Sequence, residues 1–274
     1  RSEGVILEGE QPALALRQKP RASVLVATGL VKQGQADASV TMGSTGAAMA
    51  AAVVALGVID GIDRPALGGP IVGFAPHTMV IDLGTNVDCR PAQMLSFAVI
   101  GDVFARQFWG IERPRVALLS VGAESGKGNR QAKEATELIA NSSLNFIGNV
   151  EANDLPYDKA DVAVCDGFVG NIVMKLTEGL GSATAGLVKE RLNAKLPEAE
   201  VAALVSELYD INNVSETYGG GPLFGVNGVS VVGHGRGGAE SGRRAISTAK
   251  RAVEVGFVTK LNDELALLRD KIGA

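Results

Sequence analysis

Short apolar segments of the kind that form buried strands alternate along this chain with longer segments of helical spacing. Residues 37–42, 79–83, 115–121 and 161–165 are the clearest short segments, and an Ala-rich helical pattern begins at Ala47. Parallel strands need long crossover connections, which are usually helices, so this alternation is typical of a parallel sheet. The pattern therefore predicts an α/β fold in which helices cover both faces of a mostly parallel sheet.

We expect residues 1–274 to form a single α/β domain, because a chain of this length can bury one large core. Within it, residues 177–214 have helical spacing that is interrupted at Pro197. This predicts a helical hairpin inserted in the domain. The strongly apolar sides of the hairpin would pack on the body or on a second subunit, with binding at a membrane surface as the alternative.

Composition excludes several classes of protein. The net charge is −4 and the lysines and arginines are scattered, which does not favour a nucleic-acid partner. Two cysteines, Cys89 and Cys165, are too few for a disulfide framework or a metal cluster and are typical of a reducing cytoplasm. No signal peptide is evident, and no apolar run is long enough to span a bilayer. We expect a cytoplasmic protein without metal or cofactor.

Glycine and polar residues follow the predicted strands, and the first such turn is Gly43-Ser44-Thr45-Gly46. It lies between a strand and a helix, and the unpaired N–H groups of a helix start favour an anion. The glycines allow close approach of a ligand, and the hydroxyls add donors. The turn predicts a phosphate site, although an ordinary capped helix start has the same composition.

The second and third turns combine charge with amide groups. Asp82 ends an apolar segment and needs hydrogen-bond partners wherever it lies, and Gly84, Asn86 and Asp88 follow it. The carboxylates could perform acid–base chemistry, or Asp88 could only cap the next helix. Lys127 lies in a Gly-rich loop after the third strand. It could reach into a ligand site as a mobile positive charge, or remain a solvated loop lysine.

The fourth turn contains Asp166, Gly167, Gly170 and Asn171, where another helix begins. Asn171 could cap that helix or bind a ligand. Because ligands bind at the carboxyl ends of strands in such sheets, we expect these turns to form one pocket at one sheet edge.

No residue stands out as a covalent nucleophile. Cys165 lies inside an apolar strand, which is typical of a core thiol. His77 and His234 are the only histidines, and neither has a Gly-x-Ser-x-Gly partner. His234 follows a strand and is the better candidate for a proton or hydrogen-bond donor, with a structural role as the alternative.

Several motifs, read in order, resemble the phosphate acyltransferase family of bacterial phospholipid synthesis (PlsX type). They include TMGSTGAAM, GIDRPAL, VIDLGTNVDC, VCDGFVGNIVMKLTEG and YGGGPLFG. The resemblance implies transfer of an acyl group from acyl-[acyl carrier protein] to inorganic phosphate. It also implies a fold similar to phosphotransacetylases and isopropylmalate dehydrogenases, a homodimer, and peripheral contact with the inner face of the cell membrane.

The sequence departs from the family pattern at two places. The family's opening strand and Asp-x-Met-Gly-Gly-Asp loop do not occur here, so we expect the domain to lack that first strand and loop. Ser44 also stands where the family usually has Asn in a Gly-Asn-Thr-Gly turn.

The resemblance implies a role for each polar turn. Lys127 would bind phosphate or the developing oxyanion, Asn86 and Asn171 would donate hydrogen bonds near the carbonyl, and His234 would be a further donor. The acidic carrier protein would contact basic residues of the last long helical segment, such as Arg243 and Arg251. The residues that would bind substrate are Gly43, Ser44, Thr45, Gly46, Asp82, Gly84, Asp166, Gly167 and Gly170.

Three other functions remain open on this sequence. A phosphotransacetylase acting on acetyl-CoA would have the same kind of site. A nicotinamide-dependent dehydrogenase could have a related fold, although no Gly-x-Gly-x-x-Gly turn follows a strand. A non-catalytic module that binds acyl carrier protein is the third alternative.

Overall fold

Strands and helices alternate along the chain, as the apolar pattern predicts. The computed structural model describes residues 1–217, 219–233 and 238–272. The strands are β1 (Ala38–Thr41), β2 (Ala66–Pro70), β3 (Met79–Ile81), β4 (Val116–Leu119), β5 (Phe146–Val150), β6 (Val162–Val164), β7 (Gly221–Phe224) and β8 (Val229–Val232). The helices are α1 (Pro12–Gln18), α2 (Ser23–Lys32), α3 (Thr45–Leu56), α4 (Pro91–Phe104), α5 (Arg130–Ala140), α6 (Gly167–Leu192), α7 (Glu198–Asn212), α8 (Val214–Thr217), α9 (Ala239–Glu254) and α10 (Phe257–Ile272).

Within the described residues, the eight strands form one sheet in the order β1-β8-β7-β2-β3-β6-β4-β5. The pairs β1–β8, β3–β6, β6–β4 and β4–β5 are parallel. The pairs β2–β3, β2–β7 and β7–β8 are antiparallel. Parallel pairing is therefore the commoner kind, and the predicted α/β fold with a mostly parallel sheet is confirmed.

The antiparallel pairs reverse part of the sheet. Three reversals separate β3 from β8, so β8 and its parallel neighbour β1 run opposite to β3, β4 and β6. The prediction that all four polar turns lie at one sheet edge is thus wrong for the turn after β1. The turns after β3, β4 and β6 share one edge, and the Gly43–Gly46 turn begins at the other.

Two apolar cores cover the two faces of the sheet. Val116 and Leu118 of β4 point into one core, together with α4, α5, α9 and α10, while Ala117 and Leu119 point into the other. The second core also receives Met174 from α6. Alternate residues of a strand face opposite sides, so helices on both faces leave both sets of side chains buried.

The predicted helical hairpin is present as α6 and α7, which pack against each other. Pro197 is the residue that caps the start of α7, where its fixed φ and missing N–H cost little. α6 begins at Gly167, ten residues before the predicted start of the hairpin at 177, and extends to Leu192. The hairpin is therefore continuous with the polar turn after β6.

Candidate active site

The buried carboxylate of Asp82 organises the loop that follows β3. It accepts hydrogen bonds from the backbone N–H groups of Leu67 (3.2 Å) and Asn86 (2.7 Å) and from the hydroxyl of Thr85 (2.6 Å). Burial raises the pKa of Asp82, and the hydrogen bonds from Thr85 and Asn86 lower it in part. Because the side chain is wholly buried, its position supports a role in holding the loop.

Asn86 is part of the same network. Its Nδ2 donates to the carboxylate of Asp82 (2.9 Å), to the backbone oxygen of Pro65 (2.8 Å) and to Oγ1 of Thr85 (2.9 Å). The side chain is buried. Its predicted role as a donor to the substrate stays a prediction, and it requires one of these bonds to break.

The start of α6 packs directly on the Asp82 loop. The N–H of Gly167 donates to the backbone oxygen of Asn86 at 2.7 Å, and Oδ1 of Asp166 caps the helix by accepting from the N–H of Val169 at 2.8 Å. A Cβ at Gly170 would clash with the backbone oxygen of Asp82. The glycines of this turn are needed because two backbone segments approach closely.

This packing places Asn171 at the wall of a cavity of about 360 Å³. Thr45, Gly84 and Lys175 line the same cavity, and β2 contributes its face from Leu67 to Pro70. Gly84 has a φ of +127°, and a Cβ there would lie 3.2 Å from Oδ1 of Asn171, so only glycine suits this position.

The cavity explains how turns from opposite sheet edges meet. The cavity runs along the face of β2. On one side of β2, Gly68 pairs with Ile81, the last residue of β3. On the other side lies β7, whose first residue pairs with Val232, the last residue of β8. The site therefore lies across the glycine-rich middle of the sheet, and Thr45 reaches it from the side of β1.

The turn after β1 caps the helix that follows it, which is one of the two roles that its composition predicts, while the anion-binding role stays a prediction. Ser44 caps α3, since its Oγ accepts from the N–H of Ala47 at 3.4 Å. The N–H of Gly43 donates to Oγ1 of Thr41 at 3.3 Å. Thr45, the first residue of α3, lines the cavity. A capped helix start and an anion-binding turn are thus compatible here.

Of the remaining predicted catalytic residues, the structure describes Lys127 but not His234. Lys127 is exposed, and its loop follows β4 at the same edge as the Asp82 loop, but it does not line the cavity. His234 lies outside the described residues. Lys175 is not among the residues predicted from the sequence, although its spacing of four from Asn171 puts both residues on one face of a helix.

Neither cysteine has the properties of a nucleophile. Both are buried, and burial raises the pKa of the Cys89 thiol to about 11 and that of Cys165 well above its ordinary value. The predicted core position of Cys165 is confirmed. The described part of the chain contains no group of three or more His, Cys, Asp or Glu side chains arranged to hold a metal ion.

Comparison with known proteins decides the family. Residues 1–260 match the model of a family described as fatty acid synthesis protein. The chain is 44% identical to a phosphate acyltransferase of Moorella thermoacetica, over 96% of this chain and 78% of that protein. The chain belongs to the phosphate acyltransferase family. A phosphate acyltransferase of Desulfitobacterium hafniense is 43% identical, over 95% of this chain and 79% of that protein.

Membership of the phosphate acyltransferase family confirms the prediction made from the motifs, and with it that the chain is an enzyme that transfers an acyl group to phosphate. A solved phosphotransacetylase from Streptococcus pyogenes superposes with a TM-score of 0.53 at 18% identity. The superposition covers 92% of this chain and 70% of the phosphotransacetylase chain. At 18% identity it shows that the two folds are similar and nothing more. The expected similarity in fold to phosphotransacetylases is confirmed.

Proposed function

We propose that this enzyme takes a fatty acyl group from acyl-[acyl carrier protein] and transfers it to inorganic phosphate, giving acyl phosphate for phospholipid synthesis. Family membership supports acyl transfer to phosphate. The observation that carries the rest is the cavity that Thr45 at the start of α3, Asn171 and Lys175 line together. A helix start and an ammonium group suit phosphate, and an amide donor suits a carbonyl oxygen.

In the proposed mechanism, phosphate attacks the thioester carbonyl directly. A phosphate oxygen forms a bond to the acyl carbon, the carbonyl oxygen becomes an oxyanion, and the C–S bond then breaks to release the carrier's thiolate. No covalent enzyme intermediate is needed, which agrees with the burial of Cys89 and Cys165 and with the raised pKa of both thiols. The protein's contribution is to position phosphate and carbonyl, which supplies up to about 7–11 kcal/mol in well-oriented cases.

The residues of the cavity divide this work. Thr45 and the first N–H groups of α3 hold phosphate, and Lys175 balances its charge. Lys175 also pairs with Glu178 at 2.6 Å, which holds the ammonium group near the helix. Asn171 donates to the oxyanion, an interaction worth about 3–4 kcal/mol in comparable sites. Gly43, Ser44, Gly46, Gly84, Asp82, Asp166, Gly167 and Gly170 shape the backbone around these groups.

The test is to incubate the enzyme with phosphate and palmitoyl-[acyl carrier protein] and to trap acyl phosphate as the hydroxamate. Acetyl-CoA is offered in a parallel reaction, because a phosphotransacetylase would prefer it. We expect hydroxamate from the carrier-bound donor only, and none without phosphate. Efficient use of acetyl-CoA with no product from the carrier-bound donor would refute the proposal.

We further propose that α6 carries the contacts of a homodimer and of the membrane surface. Ile172, Leu176 and Leu180 recur every four residues and are 48%, 60% and 59% exposed, which is typical of an interaction surface. No helix of the described residues is long and apolar enough to cross a membrane. Peripheral contact would therefore use a surface of this kind.

Charged replacements test this surface. The double change Leu176→Glu and Leu180→Glu should give a monomer in sedimentation velocity, or abolish flotation with anionic liposomes, or both. Leu267→Glu is the matched control, since Leu267 is 57% exposed on α10. Unchanged sedimentation and flotation in the double variant would remove α6 from both roles.

A further inference from the structure

A second, larger cavity lies beside the candidate site. This groove has a volume of about 640 Å³ and runs between α1, α3 and the segment from Asp63 to Pro65. Apolar side chains form most of its lining: Leu16, Leu25, Met49, Val53, Val54 and Val58. Val53 and Val54 are 36% and 68% exposed. Exposed apolar surface gathered in a groove marks a binding site more often than scattered single side chains do.

The groove follows one face of α3. Gly46, Met49, Ala50 and Val53 line it, and their spacing of three and four residues keeps them on the same side of the helix. From Gly46 to Val53 the helix rises by about 10 Å. α3 contains no charged residue, whereas a surface helix normally turns a polar face to solvent. Contact with solvent therefore does not explain why this face of α3 is apolar.

The groove and the candidate site meet at two points of the chain. Thr45 lines the candidate site and the next residue, Gly46, lines the groove. Likewise Gly84 lines the site, and Thr85 and Asn86 line the groove. The two cavities are therefore neighbours at the start of α3 and in the loop after β3.

Gly46 has a particular part in this arrangement. A Cβ at Gly46 would lie 3.0 Å from Cγ of Pro12 in α1. The absence of a side chain lets α1 lie across the start of α3 and form the opposite wall of the groove. The groove therefore begins at the turn that the proposed function assigns to phosphate.

We propose that this groove holds the alkyl chain of the acyl substrate, and that the side chains of α3 set the preferred chain length. The proposal rests on the proposed function, because it takes the occupant to be a fatty acyl group. The lining is mostly apolar, begins at Gly46, which follows Thr45 of the candidate site, and continues along α3, as an alkyl chain attached to the reacting carbonyl requires. Arg17 and Arg64, which also line the groove, are exposed and can cover an alkyl chain with their methylene groups.

The decisive experiment uses Val53→Trp, which fills the part of the groove about two helical turns along α3 from Gly46. The specificity constant kcat/KM is measured for hexanoyl-, decanoyl- and palmitoyl-[acyl carrier protein]. Each methylene that leaves water strengthens binding about fourfold. If the indole excludes two or more methylenes, the palmitoyl-to-hexanoyl ratio should fall about tenfold or more.

Leu138→Trp is the matched control, because Leu138 is 40% exposed on α5 and lies outside the groove. Val54→Asp is a second variant, since this exposed position tolerates a short charged side chain and places a carboxylate in the groove. It should lower the palmitoyl-to-hexanoyl ratio as well. An unchanged ratio in both folded groove variants would overturn the proposal.

A binding measurement separates this proposal from the proposed function. Fluorescence of cis-parinaric acid, a fatty acid probe, reports occupation of the groove without catalysis. Weaker probe binding by Val53→Trp than by Leu138→Trp supports the groove even if no acyl phosphate forms, in which case only the proposed reaction fails. Equal probe binding by both variants and by the unmodified protein would refute the groove assignment.

Discussion

The close packing of Gly167 against the Asp82 loop predicts that Gly167→Ala lowers activity by displacing α6. A Cβ at this position would lie 2.8 Å from both the backbone N and O of Asn86 and 3.0 Å from Oδ2 of Asp82. To reach an ordinary contact of 3.4 Å, the helix and the loop must separate by about 0.6 Å. Overpacking of this kind costs about 1–3 kcal/mol of stability.

The same displacement should reach the reacting groups. Asn171 lies one turn further along α6, so it moves with the start of the helix. Since a misplacement of about 1 Å can cost 10²-fold in rate, we expect about a tenfold loss in kcat/KM for acyl phosphate formation. The hydroxamate assay measures the rate, and urea denaturation measures the free energy of unfolding.

Gly179→Ala is the control within the same helix. A Cβ at Gly179 would meet nothing within 4 Å, so alanine there should leave the rate unchanged and stabilise the helix by up to about 1 kcal/mol. The reasoning fails if Gly167→Ala matches the unmodified enzyme in rate and stability. It fails equally if both alanine variants lose activity to the same extent.

Three further predictions concern single groups. Asn171→Ala and Lys175→Ala should each lower kcat/KM by about 10²-fold without changing the far-UV circular dichroism spectrum. Lys127→Ala should lower kcat/KM less. A larger loss for Lys127→Ala than for the other two variants would place the site at the loop after β4. Burial raises the pKa of Asp82, so the folded state binds the proton of this carboxyl more tightly than the unfolded state does. The resulting stabilisation of the folded state is present at low pH and is lost as the pH rises through the raised pKa. The free energy of unfolding of the unmodified enzyme should therefore increase relative to that of Asp82→Asn as the pH falls below neutrality, and a constant difference would contradict the assignment. Because the pKa of Cys89 is about 11, iodoacetamide should not modify it in the folded enzyme at neutral pH, and Cys89→Ser should keep most of the activity; complete inactivation of this variant would point to a covalent mechanism.

Much of the fold could be predicted from the order of apolar segments along the chain. The strands after which the polar turns come, β1, β3, β4 and β6, all lie where the apolar runs predict them. The hairpin of α6 and α7 is also where helical spacing and Pro197 indicate it. Local periodicity reports which residues are buried and in what kind of element, and this information is contained in neighbouring residues.

Part of the candidate site could be predicted as well. Glycines and polar residues at strand ends mark Thr45, Gly84 and Asn171, and all three line one cavity. The motifs also identified the family. Lys175 could have been found from its spacing relative to Asn171, because residues four apart share a helix face. Lys127 was predicted to be a site residue because it lies in a Gly-rich loop. A Gly-rich loop indicates a mobile backbone, but it does not indicate which other residues lie close to it.

The sequence by itself determined the kinds of elements, their order, the buried position of Cys165 and the family to which the enzyme belongs. Only the tertiary structure decided that β1 runs opposite to β3, that the donors of Asn86 are turned inward, and that Lys175 faces the cavity. The physical reason is that strand direction and hydrogen-bond partners depend on pairing between residues far apart in the chain. Local patterns of hydrophobicity contain no record of those pairings.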